Sequence, residues 1–199
     1  FRFDRDEIER ALIDAVERGL FVHALIAFTN RGGEDKLRKL EMHFLASGVT
    51  VARTAGDLVR YHGKMMIVDR KELFVLGFNF THLDIDRSRS FGIVTRNPKL
   101  VAEAVRLFEA DTKRQDYAPS HDNFVVSPAN ARKELARFIK GAKKELLIYD
   151  PKISDKPMLR LLEERRRAGV EIRLLGCVNG NRLPSCELKR MRLHTRTVI

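Results

Sequence analysis

Apolar residues recur at helical spacing after Asp4, where Ile8, Leu12 and Val16 share one face and Asp6, Glu7 and Glu9 crowd the first turn. Gly19 stands where such a helix ends. The continuous apolar run 21–27 reads as a strand. A second helix opens at Asp35, runs through Leu37, Leu40, Phe44 and Leu45, and stops near Gly48, ahead of a short strand at 49–52. Three further strands are expected at 65–68, 73–78 and 91–95. Asn97-Pro98 then supplies an N-cap and a first-turn proline for a helix through Val101, Ala104, Val105 and Phe108. The polar stretch 113–122, broken by Pro119, ends the pattern and is the expected linker.

Beyond it the grammar restarts. Asn130 is placed to cap a helix carrying Leu135, Phe138 and Ile139, followed by a strand at 145–149. Asp155 and Pro157 begin another helix, 158–167, closed by Gly169 and followed by a strand at 170–175. Helices alternating with strands predict an α/β layered fold. The chain also repeats itself. Shifted by 150 positions, Gly19 falls on Gly169, Ile8 on Met158, Leu12 on Leu162, Val22 on Ile172 and Leu25 on Leu175.

Composition narrows the class. The 199 residues are 44% hydrophobic and 33% charged, enough to bury a core in one large or two small domains and too apolar for disorder. No apolar stretch nears the roughly 20 residues of a spanning helix. Cys177 and Cys186 cannot build a disulfide framework and match no zinc spacing, which predicts two thiols in a reducing, cytoplasmic compartment. The net charge of +11 is uneven: residues 1–112 hold 18 basic and 17 acidic side chains, residues 113–199 hold 20 and 10. A basic half of this size favours anionic partners, whether nucleic acid, a phospholipid surface or a phosphorylated substrate.

The chemistry-bearing residues follow the repeat. The first copy leads to His62-Gly63-Lys64, with Asp69 five residues beyond and Asn79 ten beyond that; the second leads to His194-Thr195-Arg196. In extended chain, residues two apart face the same way, so each histidine projects beside a cation. That pairing suits a phosphate ester: the cation binds non-bridging oxygens while the imidazole works on phosphorus or on a departing oxygen.

These residues resemble the phospholipase D superfamily, whose signature is H-x-K-x4-D-x6-G-S-x-N. The stretch from Phe91 to Asp111 is similar to the end of the first catalytic half of cardiolipin-synthase-like members, and 126–176 to the opening of the second. The resemblance implies two similar halves, each a mixed β-sheet flanked by helices: residues 1–112, a linker at 113–122, and 123–199, with the active site at their interface. It also implies a double displacement through a phosphohistidine. His62 would be the nucleophile and His194 the general acid; Lys64 and Arg196 would bind phosphoryl oxygens, Asn79 would donate a further hydrogen bond, and Asp69 would support from behind. Tyr61, His82 and Ser90 are the expected substrate-side residues. The chain departs from the pattern at Leu76-Gly77, where the family has Gly-Ser, at Arg196 in place of lysine, and at Ser90 in place of an orienting glutamate.

No metal or other cofactor is expected, because no cluster of acids or Cys/His has ligand spacing. The expected substrate is a phospholipid or another anionic phosphodiester, with peripheral membrane contact. Two alternatives stay open: a nucleic-acid phosphodiesterase, and a non-catalytic member that binds anionic surfaces. His23, His43 and His121 read as packing or surface residues, and Arg165, Arg166 and Arg167 as a solvated helix end. The chain is expected to be part of a longer protein, since second copies of Asp69 and Asn79 would fall near positions 201 and 211, and 131–149 has no counterpart before residue 1.

Overall fold

The computed structural model describes residues 3–29, 33–57, 60–178, 185–186 and 192–199. The chain divides into two compact units, Phe1–Ile85 with Gly92–Ala118, and Asp86–Phe91 with Pro119–Ile199.

In the first unit, α1 (Asp6–Glu17) is followed by β1 (His23–Ile26), α2 (Glu34–Ala46) and β2 (Thr50–Arg53). The strands β1 and β2 pair in parallel, with His23 opposite Thr50, and α2 makes the crossover that parallel pairing requires. Gly19 and Gly48 end the two helices at φ of +86° and +82°, a conformation glycine adopts without a Cβ penalty. Ile26, Ala27, Leu37, Phe44 and Val49 form the core here, with Leu12, Val16 and Tyr61 packed against it. Next come β3 (Met65–Val68) and β4 (Glu72–Leu76), an antiparallel hairpin with Met65 opposite Val75. α3 (His82–Arg87) and β5 (Ser88–Arg89), whose residues from Asp86 onward belong to the second unit, precede β6 (Gly92–Thr95), which pairs antiparallel with β4. α4 (Pro98–Thr112) follows, with the Asn97 side chain accepting from the amides of Lys99 and Leu100 at 3.0 and 3.4 Å.

In the second unit, α5 (Ala131–Gly141) and α6 (Lys156–Arg167) accompany β7 (Glu145–Ile153) and β8 (Glu171–Val178). Those two strands pair in parallel, and β9 (Ser185–Cys186) and β11 (Thr197–Val198) flank them in the order β11-β7-β8-β9. Leu146, Ile148, Leu161, Leu162, Ile172 and Leu174 close the core between helices and sheet. The Asp155 carboxylate caps α6 by accepting from the Met158 amide at 3.0 Å. Under the 150-residue shift, α1 and α6 coincide end for end, and Gly169 matches Gly19 at φ +88°.

Three local expectations are corrected. Asn130 does not cap α5: its Oδ1 accepts from the Val126 amide at 2.8 Å and its Nδ2 donates to the Phe124 carbonyl at 3.1 Å, so it ties the preceding turn instead. Residues 86–91, counted with the first part on sequence, belong to the second unit because β5 pairs with β10 (Arg192–Leu193) and the Phe91 ring meets Tyr149 edge-on at 4.9 Å. His194, Thr195 and Arg196 lie between β10 and β11 rather than within a strand.

Candidate active site

Lys64 is the first residue of the motif that the fold holds firmly. Its carbonyl accepts from the Leu76 amide at 2.9 Å, which carries the β3–β4 ladder one residue past the start of β3. The side chain is buried at 8% exposure, and its ammonium lies 2.8 Å from His62 Nδ1 and 3.1 Å from Nε2. A lysine ammonium has only donors, so whichever ring nitrogen takes its hydrogen bond does so as an acceptor, and the tautomer decides which one that is. The geometry sets the imidazole against a buried cation. His62 and Lys64 do project together, as their spacing predicts.

The register brings Asn79 to the same end of the hairpin. Leu76 stands opposite Lys64, and the chain then turns through Gly77 and Phe78. Asn79 is 5% exposed; its backbone amide donates to Asp84 Oδ2 at 3.0 Å and its side-chain Nδ2 donates to the same oxygen. Asn79 Oδ1 is buried with no hydrogen-bond partner among the described residues. Asp84 is 3% exposed on α3, and its backbone amide donates to Thr81 Oγ1 at 3.3 Å. Sequence reading missed both Asp84 and Thr81. Their signal was available: a carboxylate five residues after Asn79, at the first turn of a short helix.

Asp69 is not at this site. It occupies the tight turn between β3 and β4, exposed, with φ +53° beside Arg70 at +54°, and the Lys71 amide closes the turn on the Val68 carbonyl at 2.9 Å. At about 3.3 Å per residue, its backbone stands roughly 16 Å from that of Lys64. Aspartate tolerates the left-handed region, and that is its work here. The expected supporting carboxylate near His62 is thus not Asp69.

The expected substrate-side residues divide. Tyr61 packs on the first core, and its hydroxyl donates to Asp111 Oδ2 at 2.7 Å. Burial, then Asp111, pushes the Tyr61 phenol well above its usual range. Burial likewise raises the Asp111 carboxyl, opposed by the Tyr61 hydrogen bond. His82 is exposed at the start of α3, with its amide on Asp4 Oδ1 at 2.9 Å. Ser90 lies in the second unit, and its Oγ is buried without a hydrogen-bond partner among the described residues.

In the second unit, the His194 amide donates to the Arg89 carbonyl at 3.2 Å, Thr195 is buried, and the Arg196 guanidinium lies 3.4 Å from Asp150 Oδ1. Asp150 is a partner that sequence reading did not foresee. Among the described residues, no helix is long and apolar enough to cross a membrane.

A family model described as "Cardiolipin synthase, PLD-like domain" matches residues 1–112, more than half of the chain. The chain belongs to this family. Its phospholipase D membership thus rests on the stretch that carries His62, Lys64 and Asn79. Among solved structures, a polyphosphate kinase from Porphyromonas gingivalis is similar at a TM-score of 0.72 and 20% identity, over 98% of this chain and 36% of the kinase. The phospholipase D family member Nuc from Salmonella typhimurium is similar at a TM-score of 0.49 and 23% identity, over 59% of this chain and 77% of Nuc. The phospholipase D-like chain thus spans about a third of the kinase it resembles in fold. No curated protein matches it.

Proposed function

We propose that this phospholipase D-like chain carries the phosphodiester-processing site of a phosphatidyl hydrolase or transferase, working through a phosphohistidine and without a metal. The observation that supports this most is the buried Lys64 ammonium donating to the ring of His62. A substrate phosphoryl group would compete for that ammonium. Its non-bridging oxygens take the donation, and the freed imidazole lone pair attacks phosphorus. The P–O ester bond breaks as the P–N bond forms, and a general acid, the part the family resemblance gives to His194, gives its proton to the leaving oxygen. Water or an alcohol then attacks phosphorus, loses its proton to that same group, and releases His62. The resemblance gives Arg196 a phosphoryl-binding part, for which its planar fork suits two oxygens.

The second reading is a nucleic-acid phosphodiesterase, favoured by the excess of 20 basic over 10 acidic residues in 113–199. One panel decides between them: a short-chain phosphatidyl substrate and single- and double-stranded DNA, each with EDTA present. Turnover of the lipid in EDTA is expected. His62→Ala should reduce it about 10³-fold or more with an unchanged circular dichroism spectrum, and Lys64→Met should also be severe. Activity abolished by EDTA and restored by magnesium or zinc overturns the metal-free mechanism. Near-normal rates in folded His62→Ala overturn the nucleophile.

A further inference from the structure

Asn79 is expected, as a motif residue, to offer hydrogen bonds to a phosphoryl group, yet a free asparagine amide can turn over and present either end. Here it cannot. One oxygen of Asp84 accepts from both the backbone amide and the side-chain Nδ2 of Asn79, which closes the side chain back on its own main chain. A carboxylate accepts only, so turning the amide by 180° would set Asn79 Oδ1 against Asp84 Oδ2, two acceptors in contact. Both residues are buried, at 5% and 3% exposure, and in that setting a lost or reversed hydrogen bond is costly. Asp84 is itself anchored by its backbone amide on Thr81 Oγ1. The consequence is a pre-set amide: one N–H is clamped, the other N–H and the unpartnered Oδ1 are held in fixed directions.

We infer that Asp84 is a positioning residue that orients the amide of Asn79 for a bound phosphodiester, an inference that rests on the proposed function. Its role is to spare the site a reorganisation at the moment of reaction, so its loss should appear in kcat more than in KM. Asp84 belongs to no part of the signature that identified the site, and it acts through Asn79 rather than on substrate.

Two measurements test it on the full chain. The first needs no activity: in a ¹H–¹⁵N spectrum, one Asn79 side-chain proton is expected downfield and slow to exchange, and Asp84→Asn should move it upfield and speed its exchange. Side-chain signals unchanged by Asp84→Asn overturn the clamp. The second is a kinetic cycle on the lipid substrate. Asp84→Asn is expected to lower kcat about 10- to 100-fold with KM changed less than about threefold, and to lower it no further in an Asn79→Ala background. Additive losses, as a merely structural carboxylate would give, overturn the inference, and so does an unchanged kcat in Asp84→Asn. Should Asp84→Asn fail to fold, Asp84→Glu, which keeps the acceptor, restores the signal and most of the rate if the inference holds, and neither if it does not. Wild-type protein with no turnover of any phosphodiester fails the proposed function, whereas the spectrum alone fails the clamp.

Discussion

Single residues carry most of what is specific here, and their neighbours decide what each can do. Lys64 is a catalytic candidate because burial and the His62 ring meet at its ammonium. Asp69, which the motif puts on the same footing, is a turn residue at the far end of the strand. Asp155 shows how exposed charge works in the same protein. The Arg132 guanidinium at 2.6 Å, then the Met158 amide, hold its carboxyl below the usual carboxylate range. A depressed folded-state value contributes stability above the ordinary carboxylate range and loses it as pH falls through the lower value. Asp155→Asn keeps a capping oxygen and removes the charge. It should lower the urea midpoint at pH 7, and the difference from wild type should shrink as pH falls through the lowered native value. A loss that does not change with pH would show that the charge is irrelevant.

At the scale of elements, close approach of backbones sets the hardest limits. Gly176 of β8 pairs with Asp150 of β7 at φ +137°, and a Cβ there would stand 1.7 Å from the Asp150 carbonyl oxygen. That oxygen is main chain in a buried ladder and cannot swing aside. Gly176→Ala should therefore destabilise the second unit by about 3 kcal/mol or more, in the range reserved for backbone strain and core disruption. Gly141 at the end of α5 has open space around it, so Gly141→Ala is the matched control and should change stability by less than about 1 kcal/mol. Equal effects in urea unfolding would refute the steric argument. The helix caps divide the same way: Asn97 and Asp155 cap their helices, while Asn130 serves the turn before α5.

For the whole molecule, charge bears on the choice of substrate. Exposed cations act over a Debye length of about 8–10 Å, so their pull on an anion falls with salt. A site that takes one phosphodiester through the buried Lys64 should feel this little. Turnover of a short-chain phosphatidyl substrate is expected to change less than about threefold between 50 and 200 mM salt. A protein that tracks a nucleic-acid backbone through many phosphate contacts would lose about 10³-fold or more in affinity over the same range. A steep loss on DNA with no lipid turnover would favour the nuclease reading over the lipid one.

Periodic and local signals were legible in the sequence because they depend on neighbours a few residues apart. The alternation of helix and strand, the glycine stops at Gly19, Gly48 and Gly169, the Asn97-Pro98 start and the His62–Lys64 pair all follow from 3.6- and 2-residue geometry. Family membership rested on the same short-range spacing. What tertiary structure decided are the long-range partners, for which no spacing rule exists. The pairing of β5 with β10 drew residues 86–91 into the second unit. The length of β3 carried Asp69 away from His62, although five residues look adjacent in a motif. Burial turned Asp84 from one acid among several in a polar stretch into the acceptor that holds Asn79. A hydrogen bond to a buried amide depends on which chain segments exclude water around it, and that is settled only when the chain has folded.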